Sequence, residues 1–241
     1  MRRKSIEFLP SEDFVKYLSE KPVVAAKSLP RWFREYSQFF GPINDKFKWL
    51  GSEGSNASVK ACVPLLDGMT AGYTIPLPFD IEVTTLPDGQ KEFRWRSEQL
   101  DGLITGHHED QVPRQMIPKD FSTVPYKFRS FWSVKTPPGY SAMFVHPLNR
   151  FDLPFVSMSA IVDTDDYHIP VNFPFVLRQD FSGIIEAGTP MIQVIPFKRD
   201  SWDSSVKPEI DRELIERNEV DMMTRMWKMY KKQYWKRKDF K

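Results

Sequence analysis

Between Phe155 and Phe197 the chain writes four apolar runs, FVSMSAIV, IPVNFPFVL, FSGIIEAGTP and MIQVIPF, the first two parted by the acidic stretch DTDDY. Each run is rich in β-branched or aromatic residues and is bounded by Asp, Gly or Pro. Periodicity and punctuation therefore agree on strands. Prolines recur at the margins of such runs, at Pro125, Pro137, Pro154, Pro174, Pro190 and Pro196 among others. Proline has no N–H to give a central ladder, so these positions read as edges, bulges and strand entries. A body of many short strands and corners follows. At 241 residues the chain is long enough to bury a full core, and one large β domain with helical appendages is the expected organisation.

Three segments divide it. Residues 1–50 read as a helical cap: Ser11 opens SEDFVKYLSE as an N-cap, with Phe14, Tyr17 and Leu18 on one face, and Trp32, Phe33, Tyr36 and Phe39 form an aromatic stripe after Pro30. Residues 51–205 form the β domain, opened by the polar turn GSEGSNAS. Within it KACVPLLDGMTAGYTIPLPF reads as alternating or continuous apolar sequence. IEVTTLPDGQKEFRWR reads as a hairpin turning at Asp88 and Gly89, and YKFRSFWSVK as a strand. Residues 206–241 read as a long amphipathic helix, because Met223, Met226, Trp227, Tyr230 and Tyr234 repeat at helical spacing. Acids lie early in that segment and lysines late, which suits the helix dipole. The fold class expected is mainly β, a sandwich or jelly-roll-like body with short N-terminal helices and a long C-terminal helix.

A formal charge of +2 carries no field that would select nucleic acid or a membrane. No long uncharged apolar stretch is present, so neither a membrane span nor a secretory signal is expected. The single cysteine, Cys62, lies in ACVPLL and reads as a small buried hydrophobe in a reducing compartment. The stripe on the terminal helix is long enough to need an apolar surface against it, which points to self-association. The lysines at its end leave nucleic acid open as an alternative partner.

The acidic turn is the first candidate for chemistry. Asp163, Asp165 and Asp166, with Tyr167, sit at a strand end, where side chains are displayed. Their oxygens suit either a hard divalent cation or the backbone donors of a capped turn. His107-His108-Glu109-Asp110 reads as a solvent-facing loop, since adjacent histidines on an extended chain point to opposite sides. There is no GxSxG elbow and no phosphate-cradling loop, and nothing in the sequence calls for a cofactor.

Two resemblances bear on function. Ala71-Gly72-Tyr73-Thr74, Ala160 to Tyr167 and Phe181 to Gln193 resemble motifs of the trimeric deoxyuridine triphosphatase family. That resemblance implies a nucleotide-binding or nucleotide-hydrolysing protein with Tyr73, Asp163, Tyr167 and Gln193 at its site. Asp163 would orient water and contact the sugar, and Tyr167 would lie against deoxyribose. The chain departs from the family where Thr74 replaces the magnesium-serving acid and where a basic segment replaces the glycine-rich phosphate loop. A triphosphatase needs those clamps to stabilise transferred charge. More of the chain, including PRWF, GYSAMFVHPLNRFDLPF and GIIEAGTPMIQVIPFKRDSW, resembles a group of proteins carried by tailed phages, notably marine ones. This second resemblance implies a phage setting, in the virion or in the cytoplasm of the infected host cell, with self-association or other phage proteins as partners. It implies no particular activity. A non-catalytic binding or structural protein, oligomeric, is the preferred expectation, and the nucleotide protein is the alternative.

Overall fold

The computed structural model describes residues 4–40, 46–49, 52–55, 57–95, 102–213, 215–216 and 230–241. The chain forms two compact units, each built from two chain segments: 1–28 with 72–199, and 29–71 with 200–241.

The first unit is mainly β, as the runs of β-branched and aromatic residues require. Its largest sheet has five antiparallel strands in the order Ala160–Val162, Tyr140–Val145, Pro190–Lys198, Tyr73–Pro76 and Val23–Val24. A four-stranded sheet orders Phe155–Ser157, Phe173–Leu177, Tyr126–Phe128 and Ile104–Gly106. The predicted hairpin forms as expected, with Ile81 opposite Trp95 and Val83 opposite Phe93, and Gly183–Ile185 extends it to three strands. Glu7–Pro10 pairs with Trp132–Lys135. Inward residues of all four sheets meet in one core that includes Ile75, Val83, Val134, Phe144, Phe155, Phe173 and Val194. Rings interlock there, Phe144 tilted on Phe173 at 5.9 Å and Phe155 edge-on to Phe175 at 6.0 Å, the geometry that aromatic quadrupoles favour.

Corners explain where the sequence reading and the fold part company. YKFRSFWSVK is two strands in two sheets, because Ser130 folds back between them: its hydroxyl donates to the Trp132 carbonyl and accepts from the Trp132 N–H, each at 3.2 Å. Such local side-chain bonds compete with a continuing ladder. FVSMSAIV divides likewise, Phe155–Ser157 into the four-stranded sheet and Ala160–Val162 into the five-stranded one. The expected helix after Ser11 is a 3₁₀ turn, Asp13–Tyr17, that buries Val15 and Leu18 and leaves Tyr17 exposed. Ser11 is not its cap; the hydroxyl donates to the Phe131 carbonyl across the strand pair.

In the second unit the aromatic stripe contracts to one short helix, Arg31–Glu35, of which only Phe33 is buried while Trp32 and Tyr36 are exposed. Val63–Thr70 is a helix, not a strand, with Pro64 in its first turn, where the missing N–H is harmless. Cys62 stands exposed at its N-terminus, which corrects the expectation of a buried thiol. Lys46–Trp49 and Ser52–Ser55 form a hairpin.

A long C-terminal helix is not what the described residues show. Residues 200–210 carry no helix or strand, and the last helical piece is a π-helical turn, Tyr230–Tyr234. The Trp235 N–H reaches back five residues to the Tyr230 carbonyl at 2.8 Å, which widens the turn. The Trp235 indole N–H and the Lys238 ammonium then both donate to Asp67 Oδ2, at 2.8 and 2.7 Å, so the tail is tied to the Val63–Thr70 helix. Met223, Met226 and Trp227 lie outside the described residues; Tyr230 and Tyr234 are exposed.

Candidate functional site

The acidic turn closes the edge strand of the five-stranded sheet. Asp163 follows Val162, and its carbonyl accepts from the N–H groups of Asp166 and Tyr167 at 3.1 and 2.9 Å. Thr164 is fully buried, its hydroxyl bonded to that of Thr136 at 2.7 Å, and this plugs the turn into the body. Asp165 lies at the same end of the sheet, beside the start of Tyr140–Val145 and the end of Pro190–Lys198. One of its oxygens accepts the Gly139 N–H at 2.8 Å, and both are gripped by the guanidinium of Arg199, Oδ1 at 2.8 Å. Planar guanidinium and planar carboxylate make two parallel charge-assisted bonds. The same Arg199 Nη1 reaches the Ser141 hydroxyl at 2.8 Å and the Tyr140 carbonyl at 3.1 Å. Ser141 in turn donates to Asp163 Oδ1 at 2.6 Å.

Electrostatics follow from this grip. The Arg199 bonds, helped by the Gly139 N–H, hold the Asp165 carboxyl down at about 2, and the same pair raises Arg199. The Asp165 side chain is 11% exposed and that of Asp163 is 68% exposed, so the two carboxylates differ in role. Asp165 is a cross-link; Asp163 is a more exposed acceptor whose Oδ1 takes the Ser141 hydroxyl and a longer contact from Arg199 Nη1 at 3.4 Å. Asp166 and Tyr167 point outward from the turn. Among the described residues no group of three or more His, Cys, Asp or Glu side chains is arranged to hold a metal ion.

Of the four residues that the nucleotide resemblance implies, Tyr73 and Gln193 lie on adjacent strands at neighbouring register positions but on opposite faces of the sheet, and Asp163 and Tyr167 lie elsewhere. Tyr73 opposes Val194, and Gln193 opposes Thr74 on one side and Val145 on the other. Asp163 is bonded to Ser141, which opposes Phe197. Four residues along the Pro190–Lys198 strand separate the two levels, about 13 Å at the usual rise.

Gln193 instead belongs to a buried polar cluster that sequence reasoning missed. Its Oε1 accepts the Leu148 N–H at 2.9 Å, and its neighbour Thr74 bonds the Ser28 hydroxyl at 2.6 Å. From Leu148 the loop leads to Arg150, forked onto Asp152 at 2.8 and 2.9 Å, with Nη1 also on the Ser28 carbonyl. His146 sits behind, edge-on to Phe155. Its Nδ1 accepts the Ser157 N–H at 3.3 Å, so Nε2 carries the proton and donates to the Arg150 carbonyl at 3.1 Å. Burial pushes the His146 pKa down, keeping a neutral ring. The Ser157 hydroxyl donates to the Met191 carbonyl and is not paired with the imidazole as a nucleophile would be. A histidine at a strand end before proline was the only sequence signal for this cluster.

Lys91 is a second buried charge. Its ammonium places all three donors, on the Thr85 hydroxyl at 2.6 Å and on the Gln179 and Phe181 carbonyls at 2.8 Å each, which completes its bonding capacity. His107 and His108 lie in a surface loop as expected, with His108 Nδ1 accepting the Asp110 N–H.

No family model matches the chain, and no curated protein matches it either. No helix among the described residues is long and apolar enough to cross a membrane.

Proposed function

We propose that the protein is a phage-encoded, non-catalytic structural or binding protein that self-associates, its β body arranged as a sandwich. The observation that carries this reading is the segment after Arg199. Trp202 is 88% exposed and Val206 97% exposed, and Ile210 follows them, also exposed, along a stretch without helix or strand. Large apolar side chains standing one after another in water mark a surface meant to be covered, and tryptophan is the side chain most enriched where interfaces take their energy.

The acidic turn supports the non-catalytic half of the reading. A carboxylate forked onto arginine and bonded to a backbone N–H, as Asp165 is, has its lone pairs spent on holding the fold. Asp163 is four residues' rise away from Gln193 along the sheet, and Tyr73 and Gln193 face opposite sides of it, which supports reading the four as parts of separate surfaces. The experiment is an incubation of the pure protein with a panel of deoxynucleoside triphosphates and magnesium, beside a molar-mass measurement by light scattering. A mass at a multiple of 28.3 kDa with no pyrophosphate release is expected. Pyrophosphate release that vanishes in Asp163→Ala would overturn the non-catalytic assignment, and a monomer at every concentration would overturn the association.

A further inference from the structure

In the second unit a pocket of about 840 Å³ has an apolar floor that includes Leu29, Phe33 and Leu66, and its lining carries four cations, Arg34, Lys60, Lys231 and Lys232. None of its described lining residues is acidic. Lys60 is fixed in place, its ammonium donating to the carbonyls of Arg34 and Tyr36. These acceptors are neutral, so they leave the positive charge of Lys60 in place. The volume is that of a site which engulfs a few side chains or one small molecule, and the uniform sign of its charge selects an anion-bearing apolar occupant.

The same chain carries a segment of the complementary chemistry. Residues 209–216 read EIDRELIE, with Glu209, Asp211, Glu213 and Glu216 set against the single Arg212. Ile210 and Ile215 are exposed among these acids, and the described residues of the segment are exposed throughout. We propose that the pocket receives this acidic segment from a second copy of the chain, an isoleucine entering the apolar floor while neighbouring carboxylates meet the lysines and arginine. The described residues of the segment are exposed and the pocket's described lining holds no acid, so a second copy supplies each with the other. Reciprocal insertion closes a dimer, whereas one-way insertion propagates a chain of subunits. Complementary charge of this kind sets register and encounter rate, and it makes the association salt-sensitive.

This inference rests on the self-association proposed above, and its test separates the two. Full-length Lys231→Glu/Lys232→Glu and Glu213→Lys/Glu216→Lys variants are prepared, with circular dichroism checking that each folds. Association constants come from sedimentation equilibrium. Each variant alone should associate at least roughly tenfold more weakly than the wild type, because opposed charges have become like charges. An equimolar mixture of the two should recover the wild-type mass, and a synthetic peptide copied from residues 208–217 should compete. A wild-type oligomer whose mass is unmoved by either reversal and by the peptide overturns this inference and leaves the self-association standing. A monomeric wild type overturns both.

Discussion

Gly72 gives the sharpest test of how the central sheet is held. Its φ of +67° lies in the left-handed region, and a Cβ built there would stand 2.1 Å from the Val194 carbonyl oxygen and 3.1 Å from Ile195 Cα. Neither neighbour can yield, since both are backbone of the Pro190–Lys198 strand in the middle of the five-stranded sheet. Three contributions set the size of the effect of Gly72→Ala. Left-handed backbone with a Cβ costs about 1–2 kcal/mol, the forced separation of packed strands about 1–3 kcal/mol, and the smaller entropy of the unfolded alanine chain returns about 0.4–1 kcal/mol. The net loss is about 1–5 kcal/mol, which for a protein of this length lowers Tm by roughly 2–20 °C. Gly89 is the internal control. It too has a positive φ, +83°, in the hairpin turn, and a Cβ there meets nothing within 4 Å. Gly89→Ala keeps only the conformational cost and should lose about 0–1.6 kcal/mol, without the strand-separation cost. Urea titrations of the two variants beside the wild type measure both values. Equal losses, or a larger loss at Gly89, would refute the argument that strand contact at Val194 is what Gly72 protects.

Further outcomes follow from the polar clusters and the tail. Because burial lowers the His146 pKa, the unfolded chain takes up a proton below about pH 6.5 before the folded chain does, so stability is full above that pH and falls as pH drops, by up to about 1.4 kcal/mol per pH unit. His146→Phe should flatten that part of a stability–pH curve. Asp165, with its carboxyl at about 2 against an ordinary 3.8, contributes stability that is fully present above the ordinary value and is lost as pH falls through about 2. Asp165→Asn should therefore destabilise at neutral pH more than Asp163→Ala, which loses the Ser141 hydroxyl bond and a long, solvent-exposed Arg199 contact, together on the order of 1 kcal/mol, as chemical denaturation would show. Trp235→Phe removes the indole bond to Asp67, worth about 0.5–1.5 kcal/mol, and limited proteolysis should cut the tail faster in that variant.

Local pattern made the strand-rich body legible because a strand's alternation and its turn residues lie within a few positions of each other. The 81–95 hairpin, with Asp88 and Gly89 at its turn, is the clearest case. Partners distant in sequence were not legible. Arg199 lies 34 residues from Asp165, and only the antiparallel order of three strands brings them together; a basic residue ending one strand was its sole trace. Asp67 and Trp235 are 168 positions apart, and nothing in either neighbourhood names the other. Elements misread as to type failed for local reasons. Pro64 in an apolar run fits a strand edge, yet proline is equally at home in a helix's first turn, and Leu65, Leu66 and Met69 fit helical spacing as well as a buried strand. The spacing of Trp32, Phe33, Tyr36 and Phe39 makes one aromatic stripe although only Phe33 is buried, because periodicity reports what a face could cover and not how much of it the body has room to take.

Sedimentation equilibrium of the full-length wild-type protein over a wide concentration range tests the central claim most directly. The self-association reading predicts a weight-average mass that rises from 28.3 kDa toward an integral multiple of it as concentration increases, and a shift back toward the monomer on mutating Trp202, Val206 and Ile210 to serine. A mass that stays at one chain across the whole range, with the exposed segment intact, would contradict it.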